Sequence, residues 1–235
     1  ISGGHLQGID HRSEVASAQV KSCLMIAGLY ARGELVVREP HRSRDHTERM
    51  LAAGGVDLEI LEDGVAMACG QRPDFGAVTL EVRTDVSAAA FFAVAAGIVP
   101  DADLRMPGLG TNPTRTGLMD ALDAAGVRWS LSGERTVAGE PRAELRVGGG
   151  ELRAFEIGGA LVPRLIDEIP VLAVLAARAP GTTVFRDAAD LRAKESDRIA
   201  TTAAMLRAFG VEVQEREDGL AVTGTGGAPL RGGAV

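Results

Sequence analysis

The chain has 235 residues, 46% hydrophobic and 24% charged, a balance that supports a sizeable core and argues against global disorder. A net charge of −7 with only 3% aromatic residues excludes the basic field and stacking platforms of a nucleic-acid binder. Apolar stretches such as 171–177 are too short to span a bilayer, two cysteines are too few for a disulfide scaffold, and four scattered histidines give no zinc spacing.

No basic segment followed by an apolar run opens the chain, so no signal peptide is expected. The chain opens at Ile1 and closes in the Gly-rich stretch 226–235, so both ends are expected to be cuts from something longer. Only two of its 25 basic residues are lysines, Lys21 and Lys194. Cys23 and Cys69 are expected to be reduced core thiols.

The first predicted element is a helix over 17–29, with Ser17 as N-cap and apolar residues on nearly every side. Such a helix should be buried. A strand over 34–38 follows, then an amphipathic helix from Ser43 that closes at Gly55-Val56. The turn-rich stretch 71–76 precedes a strand over 78–82, and a domain change is expected there.

The pattern then repeats. An apolar helix over 87–96 and a strand over 103–106 lead to Asn112-Pro113, read as N-cap and first helical position, and the helix closes at Gly126-Val127. Gly148-Gly149-Gly150 reads as a turn. The third copy has a helix over 170–177, a strand over 182–186 and an amphipathic helix that closes at Gly210-Val211. Val211-Glu-Val-Gln alternates as a half-exposed strand does. The unit is β-α-β-α-β-like, with buried first helices inside a shell of sheets and superficial second helices.

Several residues at helix starts could carry chemistry. Leu191-Arg-Ala-Lys-Glu-Ser-Asp-Arg-Ile199 opens the third amphipathic helix. Lys194 and Arg198, four apart, would share a face in its first turn, where free N–H groups already attract anions. Glu195 could shuttle a proton beside them. The same residues also read as a capped, solvated helix start with local ion pairs. Asp167, ahead of a buried helix, reads as a base with a perturbed pKa or as a dipole-stabilised carboxylate. Ser17-Ala18-Gln19 suits an anion or polyol, or is a plain serine cap. Arg44 either points at a bound anion or is solvated beside Asp45. The 112–116 run is read as a cap without a ligand, and Lys21 as structural. No Walker A, G-x-G-x-x-G, G-x-S-x-G or H-E-x-x-H motif occurs.

Ser17-Ala-Gln-Val-Lys-Ser22, Ser43-Arg-Asp-His-Thr-Glu48, Asn112-Pro-Thr-Arg-Thr-Gly117, Asp167-Glu-Ile-Pro170 and Lys194-Glu-Ser-Asp-Arg198 stand in one order. In this order they resemble the 5-enolpyruvylshikimate-3-phosphate synthase family, over essentially the whole chain. The resemblance implies transfer of an enolpyruvyl group from phosphoenolpyruvate to the 5-hydroxyl of shikimate 3-phosphate. It implies an α/β fold of two domains, each built from three βαβαββ units (inverse α/β barrel-like), here partial. Residues 1–80 would be the last part of the N-terminal domain and 81–235 most of the C-terminal one.

By position, Ser17, Ala18 and Gln19 would contact shikimate 3-phosphate, with Gln19 also near phosphoenolpyruvate, and Ser43 and Arg44 would lie around its phosphate. Asp167 would bond the shikimate hydroxyls and accept a proton. Lys194 would bind substrate, Glu195 would shuttle a proton, and Arg198 would bind phosphoenolpyruvate. Asp167, Glu195 and Lys194 are therefore the expected catalytic groups, with no metal and no organic cofactor. The resemblance further implies a cytoplasmic enzyme, monomeric when intact, without nucleic-acid or membrane partners. An early lysine-serine-arginine segment, a Gly- and Arg-bearing segment and a late Asp-His-Arg region of the family are absent. The chain alone is thus expected to be inactive, at most a weak anion-binding module. The related UDP-N-acetylglucosamine enolpyruvyl transferase is the competing reading, which the Lys-Glu-Ser-Asp-Arg and Ser-Ala-Gln runs oppose.

Overall fold

A computed structural model of the chain describes residues 4–77 and 81–233. Three Gly-Val pairs set its rhythm. Gly55, Gly126 and Gly210 adopt left-handed backbone, with φ of 83°, 82° and 79°. Each glycine N–H bonds the carbonyl of Ala52, Asp123 or Arg207, and each following valine N–H bonds that of Leu51, Leu122 or Leu206. This double closure is a Schellman motif, and the leucine and valine it joins are buried in all three copies.

The three glycines differ in what surrounds them. A Cβ on Gly55 would meet open space, whereas one on Gly126 would run into the Glu151 carbonyl oxygen. Gly55→Ala is expected to cost about 1–2 kcal/mol, the left-handed penalty alone. Gly126→Ala should cost more, because backbone has to move. Urea denaturation of the two variants checks this, and equal losses would remove the Glu151 contact from the account.

The elements in chain order are β1 (Asp10–Arg12), α1 (Ala18–Gly28), β2 (Glu34–Arg38), α2 (His46–Ala53), β3 (Glu59–Leu61) and β4 (Gly64–Ala68). Next come α3 (Val86–Ile98), β5 (Asp103–Gly110), α4 (Gly117–Ala125), β6 (Arg128–Val137) and β7 (Glu140–Gly148). The last are β8 (Glu156–Ile157), α5 (Ile169–Arg178), β9 (Pro180–Phe185), α6 (Arg198–Ala208), β10 (Glu212–Arg216) and β11 (Gly219–Thr225).

The first sheet has the order β1-β2-β4-β3 and the last β8-β9-β11-β10. In both, the first pair is parallel and the other two are antiparallel. The repeat is therefore βαβαββ, one strand longer than alternation alone indicated. In the middle copy the order is β5-β7-β6, and Thr84 bridges Leu109 in parallel, as β1 pairs with β2. The strand expected over 78–82 falls largely on residues 78–80, outside the described residues. The 148–150 glycines run out of β7 without making the expected turn.

The chain divides into two compact units, residues 1–82 with 136–141, and residues 83–135 with 142–235. The core of the first comprises Met25, Leu35, Val37, Leu51, Val56, Val65 and Met67. The core of the second surrounds α5, whose Ile169, Leu172 and Leu175 are buried, and includes an edge-on Phe155–Phe185 pair at 5.8 Å.

The expected burial of the three first helices holds fully only for α5. Helix α3 leaves Phe91 and Phe92 each 63% exposed. Helix α1 rests on β2 and β4 and buries Lys21, Met25 and Gly28, while Val20 and Ile26 face outward. A helix covered on one side buries one stripe, whatever its composition. The exposed Cys23 is accordingly not a core thiol, and Cys69 is half-buried. Among the described residues no helix is long and apolar enough to cross a membrane.

Candidate functional site

In the second unit, the charged loop ahead of α6 is shaped by what is buried around it. Leu191 is buried and pins a short 3-10 turn over Ala189–Ala193. The chain then runs extended through Lys194, and α6 begins only at Arg198, with Asp197 as N-cap. The Asp197 carboxylate accepts from Ala200 N at 2.9 Å. It also accepts from Arg192 Nη1 at 2.7 Å, while Arg192 Nε reaches the Glu217 carbonyl at 2.6 Å. The Ala200 N–H first, and then Arg192, hold the Asp197 carboxyl below its ordinary value. Lys194 thus rides on a loop anchored at both ends.

This corrects the helical reading of the motif. Lys194 and Arg198 do not share a helix face. They meet because both reach Asp167, which stands on a 3-10 turn directly ahead of α5. Arg198 Nη1 lies 3.2 Å and Lys194 Nζ 3.7 Å from Asp167 Oδ1. Arg198 Nη2 also holds Glu195 Oε2 at 2.6 Å. The Glu195 side chain is 79% exposed. Its carboxyl is held below its ordinary value, first by its own backbone N–H and then by Arg198.

A third cation completes the cluster, and sequence reasoning missed it. Arg115 is buried, with Nη1 at 3.8 Å from Asp167 Oδ2 and Nη2 at 3.5 Å from Glu168 Oε1. Its Nη2 donates to Ser87 Oγ at 2.6 Å, and Ser87 in turn donates to Glu168. The loop that carries Arg115 is closed by Asn112, whose Oδ1 accepts from Thr114 N and Oγ1 at 2.9 and 2.7 Å. Asn112 therefore makes an Asx turn, and α4 starts at Gly117, past the expected cap. A short polar run before a helix carries no local sign that its arginine turns inward.

In the first unit, Ser17 caps α1 as expected, accepting from Val20 N at 3.3 Å, with Ala18 and Gln19 in the first turn and Gln19 exposed. Ser43 is not a cap, because α2 begins at His46 after Asp45. It is instead buried in the loop before α2, next to the half-buried Arg44. Lys21 bonds Glu39 Oε1 at 2.8 Å and Glu48 Oε1 at 2.7 Å, the internal role expected of it. The predicted residues thus fall in two groups. Ser17, Ala18, Gln19, Ser43 and Arg44 belong to the first unit, and Asp167, Lys194, Glu195 and Arg198 to the second.

Two depressions of about 380 and 540 Å³ flank Arg128, and none of these residues lines them. Asp167, Lys194 and Arg198 each keep between a fifth and a third of their side chains exposed, so their converging charge is open to an incoming anion. Among the described residues no group of three or more His, Cys, Asp or Glu is arranged to hold a metal ion.

The family model for EPSP synthase (3-phosphoshikimate 1-carboxyvinyltransferase) matches residues 1–235. A 3-phosphoshikimate 1-carboxyvinyltransferase of Synechococcus elongatus is 50% identical over 100% of this chain and 52% of its own length. The structure of EPSP synthase from Acinetobacter baumannii superposes with a TM-score of 0.85 at 41% identity, covering 94% of this chain and 50% of that one. The enolpyruvyl transferase NikO from Streptomyces tendae superposes with a TM-score of 0.65 at 21% identity, over 86% of this chain and 45% of that one, a likeness of fold alone. The chain spans about half the length of the relatives it matches.

Proposed function

The chain belongs to the EPSP synthase family, and we propose that the full-length protein transfers the enolpyruvyl group of phosphoenolpyruvate to the 5-hydroxyl of shikimate 3-phosphate, releasing phosphate. The observation that carries this reading is the convergence of Arg198, Lys194 and Arg115 on the one carboxylate of Asp167. Both substrates are polyanions, so cations and helix N-termini have to gather where they bind. The transfer also needs proton acceptors and donors among those cations.

The hydroxyl loses its proton as its oxygen bonds the central carbon of phosphoenolpyruvate, whose methylene gains one. The bond to phosphate then breaks, and a methyl proton leaves to restore the double bond. Asp167 takes the hydroxyl proton. Lys194 and Arg198 hold the phosphoenolpyruvate anion, and Lys194 or Glu195 serves the methylene. Arg198, by turning to the substrate, removes one of the bonds that hold Glu195 ionised.

Ser17, Ala18, Gln19, Ser43 and Arg44 bind shikimate 3-phosphate, with Gln19 also near phosphoenolpyruvate. Residues 1–80 are the last part of the N-terminal domain and 81–235 most of the C-terminal one. The full-length protein is a cytoplasmic monomer.

Complementation tests the function. The intact gene is expected to restore growth of a strain that lacks the synthase and needs aromatic amino acids, and failure overturns the reading. The 235-residue chain alone is expected to bind shikimate 3-phosphate only weakly in calorimetry. Micromolar affinity would show that the rest of the protein contributes little to the site.

A further inference from the structure

The two lysines of this chain have different fates. Lys194 faces Asp167, whereas Lys21 is 1% exposed and has no part in the chemistry above. An ammonium has three donors and no acceptor. Lys21 directs them at three oxygens, those of Glu39, Glu48 and the Ser43 carbonyl, the last at 3.5 Å. Glu39 Oε1 also accepts from Ser43 N at 2.9 Å. Both backbone polar groups of Ser43 are therefore tied to one buried ion pair. The backbone N–H of Lys21 bonds the Ser17 carbonyl at 3.0 Å, so the start of α1 is joined to the same knot.

What this knot holds is unusual. Ser43 Oγ is buried and, among the described residues, has no hydrogen-bond partner. An unsatisfied buried hydroxyl is costly, and it persists where surrounding structure fixes it and a ligand can satisfy it. A cap does not explain it, because Asp45 is the residue at the cap of α2. We propose that Lys21, with Glu39, is a positioning residue that fixes the Ser43 peptide so that its hydroxyl is presented to a phosphate oxygen of the substrate. This rests on the function proposed above. The charge count points the same way. Without Lys21, two buried carboxylates would face the incoming anion unopposed.

The test uses the full-length protein. Glu39→Gln keeps an oxygen of the same shape and removes the charge that Lys21 holds. It is expected to raise KM for shikimate 3-phosphate about tenfold, with kcat changed less than about twofold, the pattern of lost binding and not of lost chemistry. In a Ser43→Ala background the same substitution should add nothing, because both act through one hydroxyl. Lys21→Met should raise KM in the same way and also lower Tm. If that variant does not fold, the Glu39 and Ser43 cycle still decides. A Glu39→Gln protein with lowered Tm and unmoved KM overturns the proposal, as do additive effects of Glu39→Gln and Ser43→Ala. A wild-type protein with no turnover overturns the function itself, whereas an active wild type with unmoved KM overturns only the role of Lys21.

Discussion

Asp167→Asn in the full-length protein is expected to cut turnover at least ~100-fold, the usual scale for an acid–base group, without unfolding the protein. Asparagine has the shape of aspartate but neither its charge nor its capacity to take a proton at neutral pH. Two of the three cations around Asp167 keep other partners in the variant. Arg115 keeps Ser87 and Glu168, and Arg198 keeps Glu195. Stability should therefore change little while chemistry fails. Lys194→Met is expected to fall as far, because Lys194 Nζ stands 3.7 Å from Asp167 Oδ1 on an anchored loop. Phosphate release measured with both substrates checks the two variants. Near-normal turnover would return Asp167 to a carboxylate that merely stabilises a helix start, and Lys194 to a solvated loop residue.

The parts of this architecture legible in the sequence are those set by neighbours along the chain. A glycine after an amphipathic run, followed by a valine, closes α2, α4 and α6 alike, because the Schellman motif is made within six residues. The Ser17 cap is equally local. The first residues of α2, α4 and α6 were less legible. Ser43, Asn112 and the 191–197 loop all carry cap-like residues, and each helix begins several residues later. In each case a buried contact holds the chain out of the helix: Ser43 by Glu39, Arg115 by Ser87 and Glu168, Leu191 by the core.

The same limit governed the site. Asp167, Lys194, Glu195 and Arg198 could be named from the resemblance of their runs, but helical spacing put Lys194 and Arg198 together for the wrong reason. Arg115 had no local signal, because the nearest of its partners, Ser87, is 28 residues away. Apolar composition could not tell α5, which is covered all round, from α1, which is covered on one face.

Arg115→Met is expected to cost about 3–5 kcal/mol of folding stability, the range for breaking a buried ion pair by removing one partner. Glu168 is the reason. Its side chain is fully buried, and Arg115 Nη2 lies 3.5 Å from its Oε1. Methionine fills much of the arginine volume, so the loss should come from the removed positive charge and not from a cavity. Two comparisons separate these causes. Arg115→Lys should lose less, because it keeps the charge, but it cannot serve Ser87, Glu168 and Asp167 from one planar fork. Arg115→Met with Glu168→Gln should recover part of the loss, because the charge that Arg115 offsets is removed with it. Urea denaturation of the three proteins provides the measurement. If Arg115→Met loses less than about 1 kcal/mol, the cluster is solvated in solution like a surface pair, and Arg115 would have to be reassigned from the framework that holds Asp167 to the periphery. If the double variant is less stable than Arg115→Met alone, Glu168 contributes through Ser87 and not through its charge. The Ser87–Glu168 hydroxyl bond would then be what Glu168 adds to the joint between α3 and the turn before α5.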